Sequence, residues 1–489
     1  MFQLHIGRPP HHKTLSIRPA WLLAPLGLAA AAAIGLMQGA VQSTTLALAL
    51  VGVSLALLWL TLIIVKPEAA LLIYTLLAVN LNSFDLPLPL GGARVSPDIV
   101  LVSLLIVGML LRMLTLRRSP AALPILAPYL VFLAVPTITL LWTPTPVESV
   151  RGLFRFVGYL ALMWLIVDAI VSKAQLRRMV LVLILSTLIP IISGFYQAVT
   201  GSGQFIWAGA GFNRIYGFAG GPFTLAFYLV MVMPLVLIFL LEARGQAEEP
   251  AAPAGRWRFN RLGLGLLLGL IGVALVLTFI RGAWIAVVVS LVLLGLGRGA
   301  LRYRQLLFTI PAAAGVVLLT FTPALERVQQ AADPTSTLFG RLAVWRLAVD
   351  WLLASPLNVL AGVGMKAFEY YYVLLAGPTT AGLYWRRESF LIGNRPHNEL
   401  LGFMLDVGLI GVVALLVVFF ILARLAWRIY RSARDQDLRL VALAFLIGFA
   451  GLLVGAIADN VFSQPSVAVY FWIMAGLIMA IDRHMMSDA

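Results

Sequence analysis

The chain has no cysteine, which excludes both disulfides and thiolate-ligated metal sites. Charge is also scarce: Asp, Glu, Lys and Arg make up 11% of 489 residues, against roughly 25% in soluble domains. Histidine is rarer still, at five residues. From Pro19 to Val65 there is no charged side chain at all. A run of that length accommodates two membrane spans of about 20 residues each, broken near Gln38–Thr45. A soluble globular class is therefore excluded. The first apolar run is too long for a cleavable signal, and nothing like a soluble mature domain follows it.

What is present is hydrophobicity, at 61% of residues, in segments that recur to the C-terminus. Apolar segments fall near 20–37, 46–64, 68–82, 97–113, 121–141, 152–171, 176–199 and 219–241, then near 262–280, 282–296, 306–321, 398–423, 438–458 and 466–482. The expected fold class is all-α: a polytopic transmembrane helical bundle of about 12–14 spans, with 68–82 short enough to be tilted or re-entrant. The chain divides into N-terminal spans over 1–261 (about eight spans), spans 262–321 with a turn at Arg281, a long hydrophilic loop over 322–396, and C-terminal spans over 397–489.

The net charge of +15 points to topology rather than to nucleic acid, which is not expected as a partner. Lys and Arg accumulate in the cytoplasmic loops of membrane proteins. With the N-terminus inside, most of the basic residues fall in inner segments such as "RGQAEEPAAPAGRWRFNR", "GRGALRYR" and "RLAWRIYRSARDQDLR". The short loops opposite hold only Arg94, Arg151, Arg155, Arg214 and Arg281. Both termini are then cytoplasmic and the long loop is external. Inside that loop, a periodic segment with Trp345 and Trp351 is expected to lie along the membrane interface or to cap the bundle. The Tyr- and Trp-rich "EYYYVLLAGPTTAGLYWRRESF" reads as an aromatic belt or as a sugar-stacking surface.

Ionisable residues at membrane depth are functional candidates by default, and the spans are almost free of them. Asp168 sits toward the inner end of one span and Asp459 at the outer end of another, a distribution unlike that of a proton pump. The candidates gather on the outer face: Arg281 in "LTFIRGAWIAVV", Arg341 in "FGRLAVW", Arg214 in "GFNRIYGFAGGP", and the pair Arg151 and Arg155. His397 stands where the long loop re-enters the membrane. Arginines with few carboxylates point to an anionic ligand, because the guanidinium fork suits phosphate oxygens. The blander readings are interfacial snorkelling for Arg281, interfacial anchors for Arg151 and Arg155, and pairing of Arg341 with Asp350. For His397 the blander reading is a bystander in a helix first turn capped by Asn394.

"TFIRGAW", "GRLAVWRLAVDWLLASPLNVLAGVGMKAF" and "HNELLGFMLDVGLIG", in that order, resemble the O-antigen ligase and polymerase superfamily. The resemblance covers roughly residues 260–420 and is thin over the first 200. It implies a membrane glycosyltransferase that is metal-independent, uses no cofactor and inverts configuration. Such an enzyme takes a glycan from an undecaprenyl-pyrophosphate carrier at the outer side of the bacterial inner membrane and passes it to a lipid A-core sugar or to another lipid-linked glycan. By the same resemblance His397 is the catalytic histidine, and Arg281 and Arg341 hold the pyrophosphate. Ile280 stands where the family's turn usually has serine. The residues themselves add Arg214 as a third phosphate contact, and Asn398 and Glu399 as groups that orient His397 or the acceptor. The alternatives are a polymerase of the same superfamily, a lipid-linked oligosaccharide flippase or transporter, and a non-catalytic assembly scaffold.

Overall fold

The computed structural model describes residues 44–80, 86–87, 94–95, 97–117, 121–202, 205–206, 213–248, 257, 259–296, 337–368 and 395–486. The expected spans near 20–37 and 306–321, the aromatic stretch 369–390 and Asn394 lie outside the described residues.

The architecture is an all-α bundle. It begins with α1 (Thr44–Val65), α2 (Pro67–Leu77), α3 (Pro97–Leu116), α4 (Leu126–Thr139) and α5 (Pro146–Ala169). Next come α6 (Lys173–Leu185), α7 (Leu188–Thr200), α8 (Pro222–Glu248), α9 (Arg261–Leu277) and α10 (Arg281–Leu296). After these follow α11 (Thr337–Leu353), α12 (Pro356–Ala361), α13 (Glu399–Ser432), α14 (Gln436–Ala458) and α15 (Pro465–His484). Two short antiparallel pairs, Leu86–Pro87 with Arg94–Val95 and Phe205–Ile206 with Asn213–Arg214, are the strands among the described residues. Among the described residues, seven helical stretches are long and apolar enough to cross a membrane, alongside shorter apolar helices.

The expected span 176–199 is two helices. Pro190 lacks the N–H that would continue the ladder across the junction. Ser186 and Thr187 there turn their hydroxyls back onto the carbonyls of Leu183 and Ile184, each at 2.7 Å. The segment expected at 68–82 ends at Leu77.

Close helix packing positions the last spans. A Cβ on Gly455 would stand 2.3 Å from the Phe227 ring, and one on Gly451 would stand 2.4 Å from Ser290 Oγ. Small residues at that spacing let α14 press against α8 and α10. At one end of the bundle, Lys173 binds Asp435 at 2.5 Å and Asp437 at 2.8 Å. Asp437 also accepts from the Trp257 amide at 3.1 Å. Asp168, at the same end, is neutralised by Arg112 at 2.7 Å. The opposite end is where α8, α10, α13 and α15 begin and α9 and α14 finish.

Helix α13 breaks at Gly408 (φ 60°, ψ −171°). The break frees the Leu405 carbonyl, which accepts from Val363 N at 2.7 Å and so docks α12 and its following turn. A Cβ at Gly408 would lie 2.4 Å from Ala361 N. Gly408→Ala is therefore expected to destabilise the protein by at least about 2 kcal/mol, measured as a lower midpoint of thermal unfolding in detergent.

Candidate functional site

His397 lies just before α13, with the left-handed φ of 50°. The helix cap is Asn398, whose Oδ1 accepts from Leu401 N at 3.0 Å, so the cap lies after His397 rather than at Asn394. Because the chain turns at His397 before the helix starts, the imidazole is not part of a first-turn stripe. Its Nδ1 is 3.3 Å from Asp459 Oδ1, and the Phe223 ring at the start of α8 stands 6.0 Å away. A carboxylate can only accept, so the neutral imidazole carries its proton on Nδ1 and keeps a lone pair on Nε2.

Asp459 follows the last residue of α14, where the helix dipole disfavours a negative charge. Its neighbours offset that. Arg341 Nη2 lies 3.9 Å from Asp459 Oδ2, and Arg341 Nη1 donates to the Ala458 carbonyl at 2.5 Å. Asn398 Nδ2 donates to the Ile457 carbonyl at 3.1 Å. Two of the unpaired carbonyls at that helix end are thus satisfied by side chains from the long loop and the start of α13. Arg341 partners Asp459, not Asp350.

Helix α11 reaches this place because Arg341 and Trp345 are four apart and share a face. The Trp345 indole donates to the Pro396 carbonyl, one residue before His397. The loop helix therefore caps the bundle over the site. Glu399 is buried, with its carboxylate accepting from Phe462 N at 2.7 Å and from the Ser463 hydroxyl. It fixes the turn that carries Asp459 rather than touching His397. Asn398 has its side chain engaged at both ends in capping.

Arg214 is 1% exposed. Its segment is tied to the α9–α10 turn by Ile215 N donating to the Leu277 carbonyl at 3.2 Å. Gln197 holds the same segment, accepting from the amides of Tyr216 and Gly217 at 3.0 and 2.9 Å. In the α9–α10 turn, Phe279 takes φ 52° and Ile280 is buried. A bulky residue in that conformation is a true outlier, and it aims Arg281, the first residue of α10. Ile280, where the resemblance leads to an expected serine, packs into the core.

Burial, then the cations of Arg281 and Arg341, push the Arg214 guanidinium down to about 10, with Asp459 opposing them. Arg281 and Arg341 also repel each other. The repulsion among the three cations is what an anion between them would relieve. The N-termini of α10 and α13, which open at Arg281 and Glu399, add favourable dipoles for such an anion. The structure thus brings together His397, Arg214, Arg281 and Arg341. It leaves Arg151 apart, exposed and bonded to Glu148.

Asp459 was visible in the sequence only as a carboxylate at a span end. Sixty-two residues separate it from His397, with no local motif to join them. Asp459→Asn is expected to lower kcat about 10²-fold or more, since an amide can offer Nδ1 a donor and turn the imidazole to the wrong tautomer. A kcat against KM comparison checks it: KM should change little.

Residues 265–416 match the family model described as O-antigen ligase. The match contains Arg281, Arg341 and His397, while Arg214 and Asp459 lie outside it. No curated protein matches the chain.

Proposed function

We propose, from the match of residues 265–416 to the family model described as O-antigen ligase, that the chain is an O-antigen ligase-type glycosyltransferase acting on lipid-linked glycans. The donor is a glycan on undecaprenyl pyrophosphate, and the acceptor is a hydroxyl of a lipid A-core sugar. Transfer takes place at the outer face of the bacterial inner membrane, with both termini in the cytoplasm. The distribution of Lys and Arg along the chain supports that topology. The apolar faces between helices suit the polyprenyl tail and surrounding lipid.

The chemistry follows from the residues. The acceptor oxygen attacks the anomeric carbon while its proton passes to His397 Nε2. The bond from the anomeric carbon to the pyrophosphate oxygen breaks, and in-line attack inverts configuration. Asp459 holds the Nδ1 proton and stabilises the imidazolium. Arg281, Arg341 and Arg214 take up the charge that develops on the departing pyrophosphate, a task that calls on neither metal nor cofactor. The observation that carries this reading is the His397–Asp459 pair standing beside three arginines that repel one another.

The test is a reconstitution in liposomes with an undecaprenyl-pyrophosphate glycan and a lipid A-core acceptor. Glycan appearing on lipid A-core supports the ligase. Elongation of the lipid-linked glycan alone assigns the chain to the polymerases of the superfamily. Movement of the lipid-linked glycan across the bilayer with no covalent product overturns the enzyme reading in favour of a flippase.

A further inference from the structure

Helix α7, the second half of the broken span, carries a buried stripe. Pro190, Gly194 and Gln197 recur at i, i+4 and i+7, the spacing of one helix face. All three meet the segment that carries Arg214. A Cβ on Gly217, which holds φ 54°, would stand 2.1 Å from the Pro190 carbonyl oxygen. One on Gly194 would stand 3.1 Å from Ile215 Cδ1. Residues 215–217 therefore lie directly against α7.

Gln197 closes this contact with hydrogen bonds. Its Oε1 accepts from the Tyr216 amide at 3.0 Å and from the Gly217 amide at 2.9 Å. Its Nε2 donates to the Gly217 carbonyl at 3.4 Å. Two backbone donors converging on one atom fix that atom as oxygen, because a carboxamide nitrogen cannot accept. The segment is thus held on one side by α7 and on the other by the end of α9, through Ile215 N and the Leu277 carbonyl. Arg214 precedes the clamp by two residues, and Arg281 follows Leu277 by four. A buried carboxamide needs partners whatever its role. What separates Gln197 from a generic core amide is where these bonds go. They run into the loop behind an arginine of the anion site, not along α7 itself.

Resting on the transferase reading, we propose that Gln197 is a positioning residue for the donor: through the 215–217 backbone it fixes Arg214 relative to Arg281 and Arg341, so that the three cations converge on the pyrophosphate. Gln197 acts through Arg214 and does not itself meet the donor. An arginine aimed in advance gives up little freedom on binding, and affinity rises accordingly.

The test uses the full-length chain in nanodiscs, titrated with inorganic pyrophosphate. Gln197→Met keeps the length of the side chain and removes the carboxamide. It is expected to weaken pyrophosphate binding about tenfold, the scale of one or two lost hydrogen bonds. Arg214→Gln should weaken binding at least as much. In the Arg214→Gln background, Gln197→Met should add less than about twofold, because its effect passes through the arginine. Ser172→Ala, which removes the capping box at the start of α6, should lower the unfolding midpoint and leave pyrophosphate affinity unchanged. Gly217→Ala attacks the same contact from the loop and should weaken binding at least as much as Gln197→Met, which keeps the test open should the methionine variant fail to fold. Wild-type affinity in Gln197→Met or in Gly217→Ala overturns the proposal. So do additive losses in the double variant, or an equal loss in Ser172→Ala. In the transfer assay, Gln197→Met should lower kcat/KM for the donor and leave the acceptor KM unchanged. Failure of that pattern in an enzyme that still transfers glycan defeats the positioning role alone, whereas absence of transfer by the wild type defeats the transferase reading.

Discussion

His397→Ala is expected to reduce glycan transfer by at least about 10²–10⁴-fold, the usual contribution of a positioned general base, while leaving donor binding close to normal. The carboxylate of Asp459 stays in place in that variant, held by Arg341 at 3.9 Å, but it has no imidazole to orient. The backbone at His397 is left-handed, with φ 50°, so alanine adds a conformational change to the chemical one. His397→Asn separates the two, because asparagine tolerates that conformation better than other residues. Both variants should be inactive, and the asparagine variant should keep the thermal midpoint of the wild type. Turnover of either variant at the wild-type rate would remove His397 from the mechanism.

The second large effect concerns the arginines and has opposite signs in two measurements. Arg281→Gln is expected to lower kcat by about 10²–10³-fold, as loss of one oxyanion donor does. Lysine at the same position should recover only part, since it restores the charge but not the two-pronged fork. Without ligand, however, the glutamine variant should be at least as stable as the wild type. Burial and neighbouring cations already push Arg214 down to about 10, and removing Arg281 relieves part of that. Inorganic pyrophosphate should then raise the unfolding midpoint of the wild type and leave the variant nearly unmoved. Arg281 is the cleaner choice over Arg341, whose loss would also expose the Ala458 carbonyl.

Much of this was legible before any coordinates. The apolar runs locate the helices, because a span must be long and apolar to sit in lipid. His397 and the arginines at 214, 281 and 341 stand out because charge is scarce and their residue types suit one anion. The partners were not legible. Asp350, on the same loop helix as Arg341, is the local guess, and the fold supplies Asp459 from a different span. The cap of α13 moved from Asn394 to Asn398 because both ends of the Asn398 side chain find backbone partners. Glu399 reads as a functional group beside a histidine, yet its carboxylate faces the turn after α14. The break at Ser186 and Thr187 was hidden because apolar periodicity runs straight through it, and only Pro190 marks it. For Arg341 and Glu399 the deciding contact crosses dozens of residues or more, where sequence spacing carries no information.

The position of Asp459 has a consequence for how the enzyme is made. His397 and all three arginines leave the ribosome before it, and the turn 459–464 that Glu399 fixes comes later still. A chain halted anywhere short of that turn carries the clustered positive charge without the carboxylate that organises it. On the proposed mechanism, competence arrives only when α14 is complete and its C-terminal end has met α11. On the proposed mechanism, nascent or truncated copies would carry the arginines for the lipid carrier but lack the pair needed to discharge it.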